Sequence, residues 1–304
     1  MLFHTFQHLP GIRDRLERRL WAQGFVTWHD LQEFTPSRAD VREFRKILDA
    51  SDAALEKGDA AFFGRRLPSR EAWRVYREFS SRAVFIDIET TGSSRSSDAV
   101  TCIAVAEQRG VRTFVRDRNL AEFPEAIRDA SMIVTFNGAA FDLPFLATAF
   151  PAVQFEEYAH FDVCVGLRRL RVRGGLKRIE QDLGLPRDEG LAGVDGWVAV
   201  DLWHRHRGGD PRALPTLERY CAEDVLGLPA LAAITANRML ELTPFSSTLE
   251  PLPVPKRIES FRPYSRELVR EIVEIRSRLE LDRRTMEDDR GSQIESRDLG
   301  EDPL

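Results

Sequence analysis

Two acids one residue apart, Asp87 and Glu89, close the hydrophobic run "AVFIDIETTG" at residues 83–92. Side chains on a strand alternate between faces, so these carboxylates point the same way and repel one another. A shared proton, a salt bridge or a divalent cation would offset that repulsion. An acidic strand end facing solvent is the plainer alternative, and for an isolated D-x-E it is the better one. Further acids shift that balance. Asp142 sits in "MIVTFNGAAFDLPFL" among Phe141, Leu143, Pro144 and Phe145, where a carboxylate costs desolvation energy without a partner or a metal. Capping the start of its own helix is the alternative there. Tyr220 and Asp224 in "RYCAEDVLGL" are four residues apart and therefore share one helix face, a pattern that arises by chance in many helices when it stands alone.

These side chains need rigid elements behind them. From Ala83 the chain reads as short β-rich runs, "AVFIDI", "VTCIAVAEQ", "VRTFV" and "MIVTF", with Arg109 and Gly110 forming a hairpin turn between the second and third. Helices are expected over "NLAEFPEAIRDA", "LPFLATAF" and "GLKRIEQDLG", with one or two long helices across residues 211–240. The class is therefore α/β. Residues 1–80 read as a helical region, with Leu16, Leu20 and Trp21, then Trp73, Tyr76 and Phe79, at helical spacing. Residues 81–243 form the α/β domain. The remainder, 244–304, divides into a Pro- and Ser-rich linker "TPFSSTLEPLPVPK", an amphipathic helix "SRELVREIVEIRSRLEL" and a charged tail expected to be disordered for want of apolar residues.

In this order, "DIETTG", "FNGAAFD" and "YCAED" resemble the three exonuclease motifs of the DEDD nucleases on the ribonuclease H-like fold. The tyrosine four residues before the last aspartate resembles their DEDDy subgroup. The stretches "HFDVCVGLRRLR", "GGLKRIEQDLGL" and "LWHRHRGGDPRALPTLERYCAEDV" extend the likeness over roughly residues 82–240. Within that superfamily the chain is similar to the YprB-like group of ribonuclease H-like exonucleases, which is akin to the proofreading domain of B-family DNA polymerases. The resemblance implies a mixed central sheet flanked by helices and a 3′→5′ exonuclease acting on single-stranded nucleic acid. It also implies two divalent cations, Mg²⁺ or Mn²⁺, as cofactors. Asp87 would bridge both ions, Glu89 and Asp224 would complete the one on the nucleophile side, and Asp142 would hold the one on the leaving-group side through water. Tyr220 would orient the attacking water.

The chemistry agrees with that assignment. Phosphodiester hydrolysis needs a more acidic water and a stabilised leaving oxygen, and two divalent ions about 3.5–4 Å apart supply both. Carboxylate oxygens are hard ligands that suit Mg²⁺ or Mn²⁺. A phenol with an ordinary pKa of about 10 is a poor base, so Tyr220 would position rather than deprotonate. One departure from the family pattern is Cys221, where many relatives carry asparagine after the tyrosine or histidine.

Positive charge for phosphates is concentrated in "GLRRLRVRGGLKR", with Arg168, Arg169, Arg171, Arg173, Lys177 and Arg178. Contacts of this kind bind a backbone without reading sequence; a solvated helix face is the equal alternative for each. Thr90 and Asn137 join them as expected nucleic-acid contacts, and Phe141 could stack on a terminal base or simply pack in the core. "HLPGIRDRLERRLWAQGFVTW" resembles the first half of a helix-hairpin-helix, whose turn offers backbone N–H groups to phosphate. His204 and His206 are two apart, so on a helix they share no ligand and read as surface residues. The three cysteines show no disulfide or zinc pattern.

A net charge of −5 argues only weakly against nucleic acid, since local patches decide. No apolar run reaches the roughly 18 residues of a membrane span, and no signal-peptide order is present, so a cytoplasmic location is expected. Two other classes compete with an enzyme: a nucleic-acid-binding module that keeps the fold with little turnover, and a scaffold recruiting partners through the C-terminal helix and tail.

Overall fold

Residues 83–90 form the central strand of a five-stranded sheet in a computed structural model that describes residues 1–33, 39–107, 110–191, 194, 196–260 and 262–279. The strands are β1 (Ala83–Thr90), β2 (Val100–Glu107), β3 (Gly110–Val115), β4 (Met132–Thr135) and β5 (Ala159–Asp162), in the order β3-β2-β1-β4-β5. β1 and β3 each run antiparallel to β2, while β4 runs parallel to both β1 and β5. Of the expected hairpin turn, Arg109 lies outside the described residues. Gly110 opens β3 opposite Glu107 with φ 134°, a conformation that favours glycine. β5 was not anticipated: "AHFD" is four residues long and half polar, too short to show a period.

Among the described residues, the α-helices that precede the sheet are α1 (Asp14–Ala22), α2 (Trp28–Glu33), α3 (Ala39–Lys57), α4 (Ala60–Gly64) and α5 (Ala72–Phe79). α6 (Phe123–Ile127) and α7 (Asp142–Ala149) flank β4. After β5 come α8 (Val163–Arg169), α9 (Leu176–Asp182), α10 (Trp197–Arg207), α11 (Ala213–Leu226), α12 (Leu228–Glu241) and α13 (266–279).

Strand alternation divides the core in two. Val84, Ile86, Ile88, Ile103, Val105 and Ile133 pack beneath α6 and α7, against Phe123, Ile127, Phe145 and Leu146. Ala83, Phe85, Cys102, Ala104, Val134 and Phe161 face the other way, into a core shared with α5, α8, α11, α12 and the N-terminal helices. The period of two therefore aims Asp87 and Glu89 at this second face, where α11 lies across β1, β2 and β3. This is the expected α/β architecture, a mixed sheet with helices on both faces.

The N-terminal helices are tied to that face by buried charge. Arg74 on α5 is 1% exposed; its Nη1 and Nη2 each lie 2.8 Å from a carboxylate oxygen of Glu17 on α1. Its Nε lies 2.8 Å from Glu71. Glu71 also receives Arg169 of α8, which reaches Asp14 at 3.1 Å. Gly11 gives the "LPGI" turn its left-handed φ of 77°, but the Ile12 N–H is spent on the Leu9 carbonyl at 3.2 Å.

The stretch read as a linker is held along its length. Asn237 of α12 exchanges hydrogen bonds with the Leu252 backbone at 2.7 and 2.8 Å, Arg77 donates to the Glu250 carbonyl at 2.6 Å, and the Ile258 N–H reaches the Leu226 carbonyl at 3.3 Å. Proline bars this segment from a ladder, yet side chains satisfy its carbonyls. The expected amphipathic helix follows as α13, burying Leu268, Val269 and Ile272. The charged tail, 282–304, lies outside the described residues.

Candidate metal centre

Asp87 sits opposite Ala104 and Glu89 opposite Cys102 on β2, and the register then shifts between Glu89 and Thr90. The small side chains across the ladder leave room for the two acids beneath α11. From α11, the Cys221 thiol donates to the Asp87 backbone carbonyl at 3.7 Å. One oxygen each of Asp87 and Glu89 and the Cys221 sulfur lie within 4.8 Å of one another. Burial pushes the Cys221 thiol well up, so it remains protonated and the donors on offer are carboxylate oxygens.

Asp142 opens α7 after the loop that leaves β4, and the nearby Ile88 backbone favours its ionised form against the effect of burial. The loop is held by Asp162 at the end of β5. Its buried carboxylate accepts from the N–H groups of Asn137 at 2.8 Å, Ala139 at 3.1 Å and Cys164 at 3.0 Å. Thr135 accepts from the Gly138 N–H at 3.2 Å, and a Cβ on Gly138 would meet Thr135 Oγ1 at 2.4 Å. Glycine is required there by close approach. Asp162→Ala would strand three backbone donors, and an unsatisfied buried group costs about 1–3 kcal/mol. A lower urea midpoint is expected, partly recovered in Asp162→Asn, which keeps one acceptor oxygen.

The electrostatics reflect the crowding. Burial, followed by the charges of Asp224, Asp142 and Glu89, raises the Asp87 carboxyl well above its ordinary range. Burial and then Asp224 do the same to Glu89. Asp142 is pushed up to about 7 by burial, with Asp162 and Asp224 adding to it. The folded state therefore holds the Asp142 proton more tightly than the unfolded chain does, where the ordinary value is 3.8. That stability is full below 3.8 and is lost as pH rises through about 7. In chelating buffer the melting temperature is expected to fall from about pH 5 to about pH 8, with a flatter profile in Asp142→Asn.

Asp224 is already engaged. Arg187, in the turn after α9, donates Nη2 to Asp224 Oδ1 and Nη1 to Glu180 Oε2 at 2.6 Å. Burial opposes the Arg187 charge, but Asp224 and Glu180 more than offset it. Glu180 reaches this position over Gly227, between α11 and α12, where a Cβ would stand 2.2 Å from Glu180 Oε1.

Tyr220 is 2% exposed. Its hydroxyl accepts from Lys177 Nζ at 2.8 Å and lies 3.4 Å from the Val194 carbonyl. Burial, then Asp224, Glu89 and Asp87, push the phenol far above its ordinary value. Lys177 is therefore an inward residue, its own pKa lowered by burial. Of the other expected nucleic-acid contacts, Arg168, Arg171 and Arg173 are exposed, and Arg168 donates to Asn137 Oδ1 at 3.3 Å. Asn137 has a left-handed φ of 65°. Arg169 is turned away, into the Glu71 and Asp14 pairs. Buried Thr90 donates to the Gly92 carbonyl. Phe141 is half-buried with its ring 4.9 Å from that of Phe145. His204 is exposed and His206 rests against Trp203. Asp162, Arg187 and Glu180 were not singled out from sequence.

The family model of the RNase_H superfamily matches residues 84–235, half of the chain. The chain belongs to the RNase_H superfamily. Its five-stranded sheet is the ribonuclease H-like core, and the matched span contains every acid of the cluster. No curated protein matches the sequence. Among solved structures, the superfamily domain is similar to the family B DNA polymerase from the hyperthermophilic archaeon Pyrobaculum calidifontis, with 18% identity and a TM-score of 0.40. That match covers 52% of this chain and 24% of the polymerase. NrnC of Brucella melitensis with bound Mg²⁺ is 22% identical with a TM-score of 0.38, covering 54% of this chain and 76% of NrnC. NrnC bound to pGG is likewise 22% identical, with a TM-score of 0.39. Among the described residues no helix is long and apolar enough to cross a membrane.

Proposed function

We propose that this chain is a divalent-metal-dependent nuclease of the YprB-like DEDDy type that removes nucleotides from the 3′ end of single-stranded nucleic acid. The observation that carries this reading is that Asp87 and Glu89 bring carboxylate oxygens within 4.8 Å of one another, with Asp142 and Asp224, from the other two motifs, near enough for their charges to act on both. Asp87, Glu89 and Asp142, held in their protonated form by burial and by neighbouring carboxylates, are short of positive charge, and carboxylate oxygens fit Mg²⁺ or Mn²⁺. When bound, the ions would acidify a water and stabilise the leaving oxygen.

The chain's own groups supply the rest. Asp87, Glu89, Asp142 and Asp224 would hold the cations. Tyr220 keeps its proton and acts by orientation: Lys177 donates to its oxygen, and the phenolic hydrogen, directed here at the Val194 carbonyl, would turn to the attacking water. Exposed Arg168, Arg171 and Arg173 give a surface for backbone phosphates without base readout. Phe141 lies one residue from Asp142, where a ring can stack on a terminal base.

The test is digestion of end-labelled single- and double-stranded DNA and RNA with Mg²⁺ or Mn²⁺, products resolved by length. A single-nucleotide ladder growing from the 3′ end is expected. Internal cuts without a ladder would reject the exonuclease mode, and intact substrate with either metal would reject the nuclease.

A further inference from the structure

Arg187 is a fixed positive charge inside a site that calls for cations. Its side chain is 8% exposed, and it divides its donors between Asp224 and Glu180. The turn that carries it is pinned on several sides. The Asp188 N–H donates to Glu223 Oε1 at 2.8 Å. Asp188 Oδ1 accepts from the Gly190 N–H at 2.9 Å and from the Tyr264 hydroxyl at 2.6 Å, and Oδ2 accepts from Arg219 at 3.2 Å. Tyr264 belongs to the stretch leading into α13, so the returning C-terminal segment helps to seat the guanidinium.

We infer that Arg187 is a built-in counter-cation that competes with divalent metal for Asp224, and that Glu180 sets the strength of this competition. The inference rests on reading the four acids as a metal site. A carboxylate oxygen occupied by a guanidinium has fewer lone pairs to offer an ion. A permanently charged arginine at contact distance also repels an incoming cation, and burial keeps salt from screening that repulsion. Glu180 draws part of the arginine charge away from Asp224. The ion on the Asp224 side therefore binds more weakly than the one held without it, giving two unequal affinities.

The test is Mn²⁺ titration of the full chain by calorimetry, and by the spin-resonance signal of free Mn²⁺, for wild type, Arg187→Met, Glu180→Gln and Asp87→Asn. Arg187→Met is expected to tighten the weaker step by about tenfold or more. Glu180→Gln, which returns the arginine charge to Asp224, is expected to weaken it several-fold. Asp87→Asn is expected to lose the tight step. If wild type binds Mn²⁺ and Asp87→Asn does not, yet Arg187→Met binds no better than wild type, Arg187 merely holds Asp224 in place and the inference is overturned. If wild type takes up no Mn²⁺, the metal-site reading fails and carries this one with it. Thermal melting checks each variant, and if Arg187→Met does not fold, the sign of the Glu180→Gln effect decides.

Discussion

Asp87→Asn is expected to lower phosphodiester hydrolysis by at least about a thousandfold while making the protein harder to melt in chelating buffer. Both effects have one cause. Asp87 lies among Asp224, Asp142 and Glu89, and burial together with those charges disfavours its ionised form. The crowding is useful only if a cation resolves it. Asparagine keeps the shape and removes the charge, so the metal-free fold is relieved of repulsion and the proposed centre loses a ligand. Activity on end-labelled single strands and melting curves with EDTA measure the two sides. Wild-type cutting would sink the assignment of Asp87. Lost cutting with a lower melting temperature would mean that the substitution had damaged the sheet rather than removed a ligand.

Arg74→Met is expected to cost about 3–5 kcal/mol of stability, the range for breaking a buried ion pair from one side. Arg74 is enclosed by Glu17 and Glu71, both fully buried, and removing it takes away the guanidinium that neutralises both carboxylates. Glu71 keeps Arg169, so Glu17 is the more exposed to loss. The urea midpoint should fall at nearly constant slope, and adding Glu17→Gln should restore part of the loss. A single-variant change below about 1 kcal/mol would place this network with surface pairs, which contribute little.

The acids of the candidate site were legible because they lie in short local motifs. A strand places Asp87 and Glu89 by period two, and a helix places Tyr220 and Asp224 by period four. What sequence did not show is what depends on the fold to bring distant residues together. Arg187 and Asp224 are 37 residues apart, and Arg74 and Glu17 are 57 apart, so no spacing announces either pair. Asp162 belongs to a strand too short to display alternation. Of the basic run, composition offered six candidate phosphate contacts, and packing separates them: Arg169 and Lys177 turn inward to Glu71 and Tyr220, while Arg168, Arg171, Arg173 and Arg178 remain outside. Charge in a sequence has sign but no direction until side chains find their faces.

The return of the C-terminal segment to the turn that carries Arg187 also fixes an order of events during synthesis. Chains emerge N-terminus first, at about 5–20 residues per second. The strands and all four acids leave the ribosome before Arg257, Tyr264 and α13 emerge to brace Glu223 and Asp188. For that interval a nascent chain carries all four acids with the Arg187 turn only partly braced, by Glu223, Gly190 and Arg219, and the competition for Asp224 takes its final form only as the last helix docks.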